Sequence, residues 1–401
     1  MFKNPPSAVP FFQAWAGPLS LTLAIFYLDI QALTSSQALF TSLLALFAGY
    51  VVAEVFRKET WLAWRSGWQE GEFSINRVLT KLVGLFTLMI LLAFCYFSFP
   101  EYHRDFYAPW WGMVVTYGPW LAGAAIPYVI LTDRLMKNPN DGLYHWARWM
   151  LRKPDAERSQ VREFLFAWLV KAFFLPLMFA FAHGNRVALP DLYQANSIQC
   201  IAGMVAYLYL LDVCIGIVGY LSTFRLFSWH IQSTDQTLAG WVCALLCYPP
   251  FQSIIFISYL HYEKGVDWMS WLADWPVLQV AWGLVILFLT AIYVWSTIAF
   301  GPRFSNLTHR GIVTNGPYRW TKHPAYLSKN LSWWFIGLPL IPGGDGRGIL
   351  VCTFLLILVN LIYYWRAKTE ERHLSRDPAY RAYVAWIAKH GLFARFSSNF
   401  H

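Results

Sequence analysis

The chain has 401 residues, of which 57% are hydrophobic and only 13% charged, with a net charge of +9. A water-facing globule carries about a quarter charged residues, so this chain has too little polar surface to be one. Its basic residues lie in short segments between apolar runs instead of on one polar face, which excludes the usual pattern of a nucleic-acid binder and reads as membrane topology signals.

Crossing the hydrocarbon core takes about 20 apolar residues, and the sequence holds about ten such runs: 10–32, 37–56, 78–99, 109–132, 162–183, 197–223, 239–260, 277–300, 325–341 and 348–365. The N-terminus lacks the compact basic–apolar–small pattern of a cleaved leader, so the first run is expected to act as its own insertion signal. The segment 57–77 carries Arg57, Lys58, Arg65 and Arg77. The segment 134–162 carries Arg134, Lys137, Arg148, Arg152, Lys153, Arg158 and Arg162, and 301–324 carries Arg303, Arg310, Arg319 and Lys322. The segments between them hold only Arg104, Arg186 and Lys264. Basic and poor loops alternate as ten spans require, and the positive-inside rule then puts both termini in the cytoplasm. The expected fold is all-α: a polytopic transmembrane helical bundle with a cytoplasm-facing C-terminal cofactor pocket. Within 134–160, the stretch Leu143–Leu151 reads as an amphipathic helix lying on the cytoplasmic surface.

Charged residues inside runs are costly and need partners. Asp29 and Glu54 fall near run ends and read as interfacial. Lys171 and Asp212 lie at similar depth in the fifth and sixth runs. They predict an ion pair, either a helix clasp or a weak substrate-cavity element, with Lys171 snorkelling to the interface as the alternative. Pro176, Pro249 and Pro250 are expected to kink or interrupt their helices. The six cysteines all sit in apolar runs, without a CxxC pair or nearby His at metal-binding spacing. They read as buried apolar side chains, and no metal site is expected.

Chemistry concentrates in 301–391. Two polar segments flank a membrane hairpin whose turn is Pro342-Gly343-Gly344-Asp345-Gly346. The hairpin would bring Tyr318, Arg319, His323 and Tyr326 to the same face as Arg366, Glu370 and Glu371. Cations, carboxylates, aromatic faces and the backbone of Thr314-Asn315-Gly316-Pro317 suit an amphoteric ligand. Arg366 and Glu370 are four apart and share a helix face, which a solvated surface ion pair would explain equally well.

The run GIVTNGPYRWTKHPAYL resembles the signature of the isoprenylcysteine carboxyl methyltransferase and phospholipid methyltransferase family. The preceding GPRFSNL and the later RAKTEERHL and DPAYRAYVAWI resemble that family's flanking segments in the same order. The resemblance covers about 277–395 and divides the chain into an N-terminal membrane region, 1–276, and a methyltransferase-like module, 277–401. It implies S-adenosylmethionine as cofactor and a lipid or prenylated small molecule as acceptor. It places Gly316, Pro317, Tyr318, His323, Pro324 and Tyr326 on the cofactor side, with Thr314 and Arg319 of the same loop in the cofactor-binding set. Arg366, Glu370 and Glu371 fall at the border with the acceptor, where Glu370 and Glu371 serve the cofactor and Arg366 and Glu370 the catalysis. Two positions depart from the pattern: Lys322 stands where an Arg is usual, and Ser328 where a Gly often follows. Methyl transfer needs alignment and exclusion of water; a carboxylate or thiolate acceptor needs no general base and an amine or hydroxyl does. With no Ser/His/Asp or metal-ligand set in the sequence, positioning and electrostatics are expected to dominate. The implied location is an inner membrane or the endoplasmic reticulum. The alternatives are a nicotinamide-dependent membrane reductase of the sterol reductase type, whose motif reads differently, and a transporter or lipid-binding protein, for which no repeat symmetry speaks.

Overall fold

The computed structural model describes residues 5–27, 35–70, 72–189, 196–251, 268–337 and 346–394. The helices run α1 (Phe11–Tyr27), α2 (Ser35–Val55), α3 (Lys58–Glu70), α4 (Ile75–Ser98), α5 (Ala108–Leu135), α6 (Gly142–Met150) and α7 (Arg158–Val187). They continue as α8 (Ser197–Leu221), α9 (Leu238–Leu245), α10 (Trp268–Trp271), α11 (Pro276–Phe300), α12 (Pro324–Gly337), α13 (Gly346–Leu374) and α14 (Pro378–His390). The chain is an all-α polytopic bundle. Among the described residues, seven helices are long and apolar enough to cross a membrane: α2, α4, α5, α7, α8, α11 and α13, two of them extended by short 3-10 turns. Their outer faces present large apolar side chains such as Val115, Trp120, Val277, Phe288 and Leu350, the surface that lipid would cover.

Six of the predicted runs match helices within a few residues, and the tenth is longer than expected. The seventh run, 239–260, is not one helix. It is helical only to Leu245 and then turns through the Pro249-Pro250 pair; residues 252–260 lie outside the described set. The break follows from two consecutive prolines, which remove donors and clash with the preceding turn. Pro176, by contrast, sits inside the unbroken α7. The first run forms α1, while its end at 28–32, with Asp29, lies outside the described residues, as do Pro339 and the hairpin turn up to Asp345.

Two short helices pack beside the ends of the long ones. The first, α3, falls in a segment read above only as a basic loop. Its Trp64 donates to the Leu226 carbonyl at 2.7 Å, and the Arg134 guanidinium stacks on Trp68 at 3.8 Å. The second is the expected amphipathic α6. Its Trp146 is buried and donates to the Gly84 carbonyl at 3.0 Å, while Trp149 and Met150 stay exposed. Glu54 falls at the end of α2, as expected, and is 1% exposed, accepting from Gln13, Thr60 and the Trp229 indole.

The main core gathers α1, α2, α7, α8 and α11 around Phe174, Ile215, Tyr220, Trp229 and Val294. The long loop from Gly301 to His323 packs onto this core. It passes close under α8 because residue 219 is glycine: a Cβ there would lie 2.2 Å from the Phe304 carbonyl oxygen. A two-residue antiparallel ladder, β1 (Ser233–Thr234) with β2 (Thr308–His309), pairs Ser233 with His309 and Thr234 with Thr308. Arg310 locks the loop by donating to the carbonyls of Trp229, Gly219, Ser222 and Phe304. Residues 5–9 lie along the far side, with Ala8 N–H to the Ile312 carbonyl at 2.8 Å and Asn315 to the Val9 carbonyl at 2.7 Å.

His230 sits in this locked region with a buried ring nitrogen that lacks a partner among the described residues. Burial, with the charges of Arg225, Arg303 and Arg310 behind it, pulls its imidazole down to about 4. Above the ordinary histidine value the ring is neutral whether the chain is folded or not. As pH falls, the unfolded chain takes up the proton first, so stability is lost between pH 6.5 and 4. The loss should be ~2 kcal/mol after allowance for solvent screening. His230→Gln should flatten this segment of a melting-temperature-versus-pH curve measured in detergent.

Candidate functional site

The polar segment predicted after the tenth span is not separate from it. Helix α13 continues without a break through Arg366, Glu370 and Glu371 to Leu374, so one rigid element carries both the apolar stretch and the charges. It faces the start of α12, where His323 and Tyr326 project. Together with the 301–323 loop, α11 and α14 they enclose a cleft of about 1300 Å³, counting its open mouth.

The contacts within the cleft are specific. Tyr326 donates its hydroxyl proton to Glu370. Glu371 receives His323 Nε2 at 3.1 Å and Lys322 Nζ at 2.6 Å. The His323 and Tyr326 rings are parallel, with centroids 5.7 Å apart. Arg366 is 3% exposed, so it is no solvated surface pair. Its Nη2 donates to Asn306 Oδ1 at 2.6 Å, and its Nε lies 3.5 Å from Glu370. Its guanidinium carbon sits 5.3–5.8 Å from the ring centres of Tyr326, Tyr248 and Tyr363. Three electron-rich ring faces and one carboxylate offset the cost of burying this charge.

The loop side is held by α14. Tyr383 donates to the Tyr318 carbonyl at 2.7 Å, and the buried Tyr318 ring packs edge-on to Phe300 at 5.3 Å. Burial pushes the Tyr318 phenol well above its ordinary value, so it stays neutral. Gly316 has a φ of +56°, and a Cβ there would lie 3.2 Å from the Trp295 indole nitrogen; its residue type is fixed by the turn. At the mouth, His309 Nε2 is 3.0 Å from Asp377, the N-cap of α14.

The structure brings Tyr318, His323, Tyr326, Arg366 and Glu370 into the cleft wall. Glu371 backs this set through His323 and Lys322. Others of the predicted set stand apart from the wall. Thr314 is buried and donates to the Pro5 carbonyl at 2.7 Å, fastening the N-terminal segment. Gly316, Pro317 and Pro324 shape the turn and the helix start, and Arg319 is exposed. Lys322 pairs with Glu371 as a point charge, where the fork of an arginine is not needed. Ser328 is 3% exposed and bonds back to the Pro324 carbonyl at 2.8 Å, so its small side chain fits the glycine-like position.

The expected Lys171–Asp212 pair is not formed. Lys171 Nζ reaches Thr223 Oγ1 at 2.5 Å and lies 4.3 Å from the Trp168 ring. Asp212 instead accepts from Tyr293 Oη and Thr297 Oγ1, both at 2.6 Å. Equal depth along two helices does not fix which way each side chain points. Residues that sequence reading missed in the wall are Tyr248, Tyr293, Asn306, Lys329 and Tyr363. Asn306 lies within the GPRFSNL segment, which was the available signal. Tyr248 gives none, because it arrives from the broken seventh run.

The isoprenylcysteine carboxyl methyltransferase (ICMT) family model matches residues 278–387, the stretch from α11 into α14 that builds most of the cleft. The match supports a membrane methyltransferase and lends nothing to a reductase or a transporter. No curated protein and no solved structure matches the chain.

Proposed function

We propose that this chain transfers a methyl group from S-adenosylmethionine to a hydrophobic, lipid-like acceptor, such as an isoprenylcysteine carboxylate or a phospholipid amine, at the cytoplasmic face of the membrane. The observation that carries the reading is the meeting of His323, Tyr326 and Glu370 with a buried Arg366 in one cleft between the matched loop and α13. The donor set fits an amphoteric cofactor. Glu370 and Glu371 offer carboxylate to an ammonium, the loop and His323 offer N–H groups to a carboxylate, and the tyrosine faces suit a sulfonium. When bound, the cofactor supplies an electrophilic methyl group.

The chain's own residues hold and orient. Tyr326 and Arg366 fix Glu370 from two sides, Lys322 and His323 fix Glu371, and Tyr383 pins the loop that carries Tyr318. Arg366 lies at the border of the cofactor and acceptor halves, where its charge steadies the approach of the acceptor. The acceptor enters laterally from the bilayer and the cofactor from the cytoplasm, on which side both termini lie. Residues 277–401 form the methyltransferase module, and the 1–276 region contributes Tyr248 to its cleft wall.

Calorimetry on the purified chain in detergent tests this. S-adenosylmethionine should bind, and Glu370→Ala and His323→Ala should each weaken it by ~10-fold or more, the effect of losing a charge-assisted hydrogen bond. Binding of NADPH in its place would reject the methyltransferase reading.

A further inference from the structure

Asp212 is a carboxylate deep in an apolar helix, 9% exposed, and its hydrogen-bond partners are two hydroxyl groups. Such a charge is costly in a membrane interior and calls for a reason. Both of its oxygens are engaged from a single neighbouring helix: Tyr293 Oη and Thr297 Oγ1, one turn apart on α11, each donate at 2.6 Å. Both donors line the cleft. Lys329, from α12, points its ammonium at the Tyr293 ring at 4.9 Å and at Tyr363 at 5.9 Å, and Tyr363 in turn flanks Arg366. The carboxylate therefore stands directly behind a phenol that faces the same space as Arg366. Asp212 precedes residue 278, so it lies outside the family-matched stretch.

We propose that Tyr293 and Asp212 form a proton-accepting relay in the floor of the cleft, and that the acceptor is therefore a neutral N–H or O–H group. The proposal rests on the methyltransferase reading. A lone pair of the acceptor nitrogen or oxygen forms the bond to the methyl carbon, and the electron pair of the methyl–sulfur bond returns to sulfur. The acceptor's proton passes to Tyr293 Oη while the Tyr293 proton moves to Asp212 Oδ2, leaving a neutral carboxylic acid that later releases its proton through the cleft mouth. Tyr293 is the catalytic residue and Asp212 a positioning residue that acts through it. Thr297 donates to the second carboxylate oxygen, so both oxygens of Asp212 act as hydrogen-bond acceptors in the resting state. Tyr209 and Cys214 on α8, with Tyr248 and Tyr363, are the other titratable groups that face the cluster.

The test uses the full chain in detergent, S-adenosylmethionine, and three probes that share one farnesyl chain: farnesylamine, a farnesyl-substituted phenol, and N-acetyl-S-farnesylcysteine, which offers a carboxylate. Cofactor affinity is read by calorimetry and turnover by release of S-adenosylhomocysteine. The amine or the phenol should be methylated. Asp212→Asn and Tyr293→Phe should each lower kcat by ~100-fold, the scale of a lost general base, with KM and cofactor affinity changed little. The rise of kcat with pH, which tracks deprotonation of the relay, should disappear in Asp212→Asn. Tyr293→Phe keeps the ring packing and so guards against a folding artefact. Transfer to the carboxylate probe alone, transfer to none of the three, or full turnover in both variants would overturn the relay while leaving cofactor binding intact. Failure of the unmodified chain to bind S-adenosylmethionine would overturn the methyltransferase reading and the relay with it.

Discussion

Arg366→Met should reduce methyl transfer by ~100-fold or more, the range seen when one preorganised electrostatic group is removed. The substitution keeps most of the volume, so the three tyrosine rings around the site retain their packing. It deletes the donor to Asn306 and the counter-charge to Glu370. Arg366→Lys should recover little, because an ammonium cannot span Asn306 and Glu370 as the planar fork does. Single-turnover measurement at saturating S-adenosylmethionine separates this effect from cofactor affinity. Turnover within a few-fold of the unmodified chain would remove Arg366 from the chemistry.

Arg310→Met should instead strike stability. Arg310 is 3% exposed and donates to four carbonyl groups, at the end of α8, in the loop below it and at Trp229. With the guanidinium gone, these acceptors are buried and short of partners, and the 301–323 loop loses its tie to the core. The cost should be ~4 kcal/mol, in line with breaking a buried charged network. It is read as a fall in the thermal midpoint of the detergent-solubilised protein. Methyl transfer measured well below that midpoint should fall less than in Arg366→Met, because Arg310 acts on the frame and not on the reacting groups.

These two arginines mark what the sequence reveals and what it hides. The spans were legible because hydrophobic runs and loop charges report the same boundary, and the solvent imposes both. The cleft was legible at Tyr318, His323, Tyr326, Arg366 and Glu370 because their motifs are short and ordered. What stayed hidden depends on azimuth and on long-range partners. Nothing in the spacing of Lys171 and Asp212 says that one turns to Thr223 and the other to Tyr293. Arg310 reads as one more basic loop residue until four carbonyls are seen to converge on it. Helix α3 hid inside a positive loop because its tryptophans, Trp61, Trp64 and Trp68, recur at helical spacing in a segment already explained by charge. The seventh run counts as one span by average hydropathy, and its interruption is legible only in the adjacent Pro249 and Pro250, which the helix indeed does not cross.

The unbroken course of α13 has a mechanical consequence. An apolar rod that must match the hydrocarbon thickness, and that carries Arg366, Glu370 and Glu371 on its final turns, transmits its vertical position to the cleft. The rise is about 1.5 Å per residue. In a bilayer a few ångströms thicker or thinner, the rod answers by tilting or shifting. The loop bearing Tyr318 is fastened to the other helices by Arg310 and residues 5–9 and to the rod only at Asn306, Lys322 and His323 among the contacts of the cleft, so a shift of the rod loads those ties. The alignment of the two halves of the site should then vary with lipid chain length, an expectation checked by measuring turnover in bilayers of graded thickness.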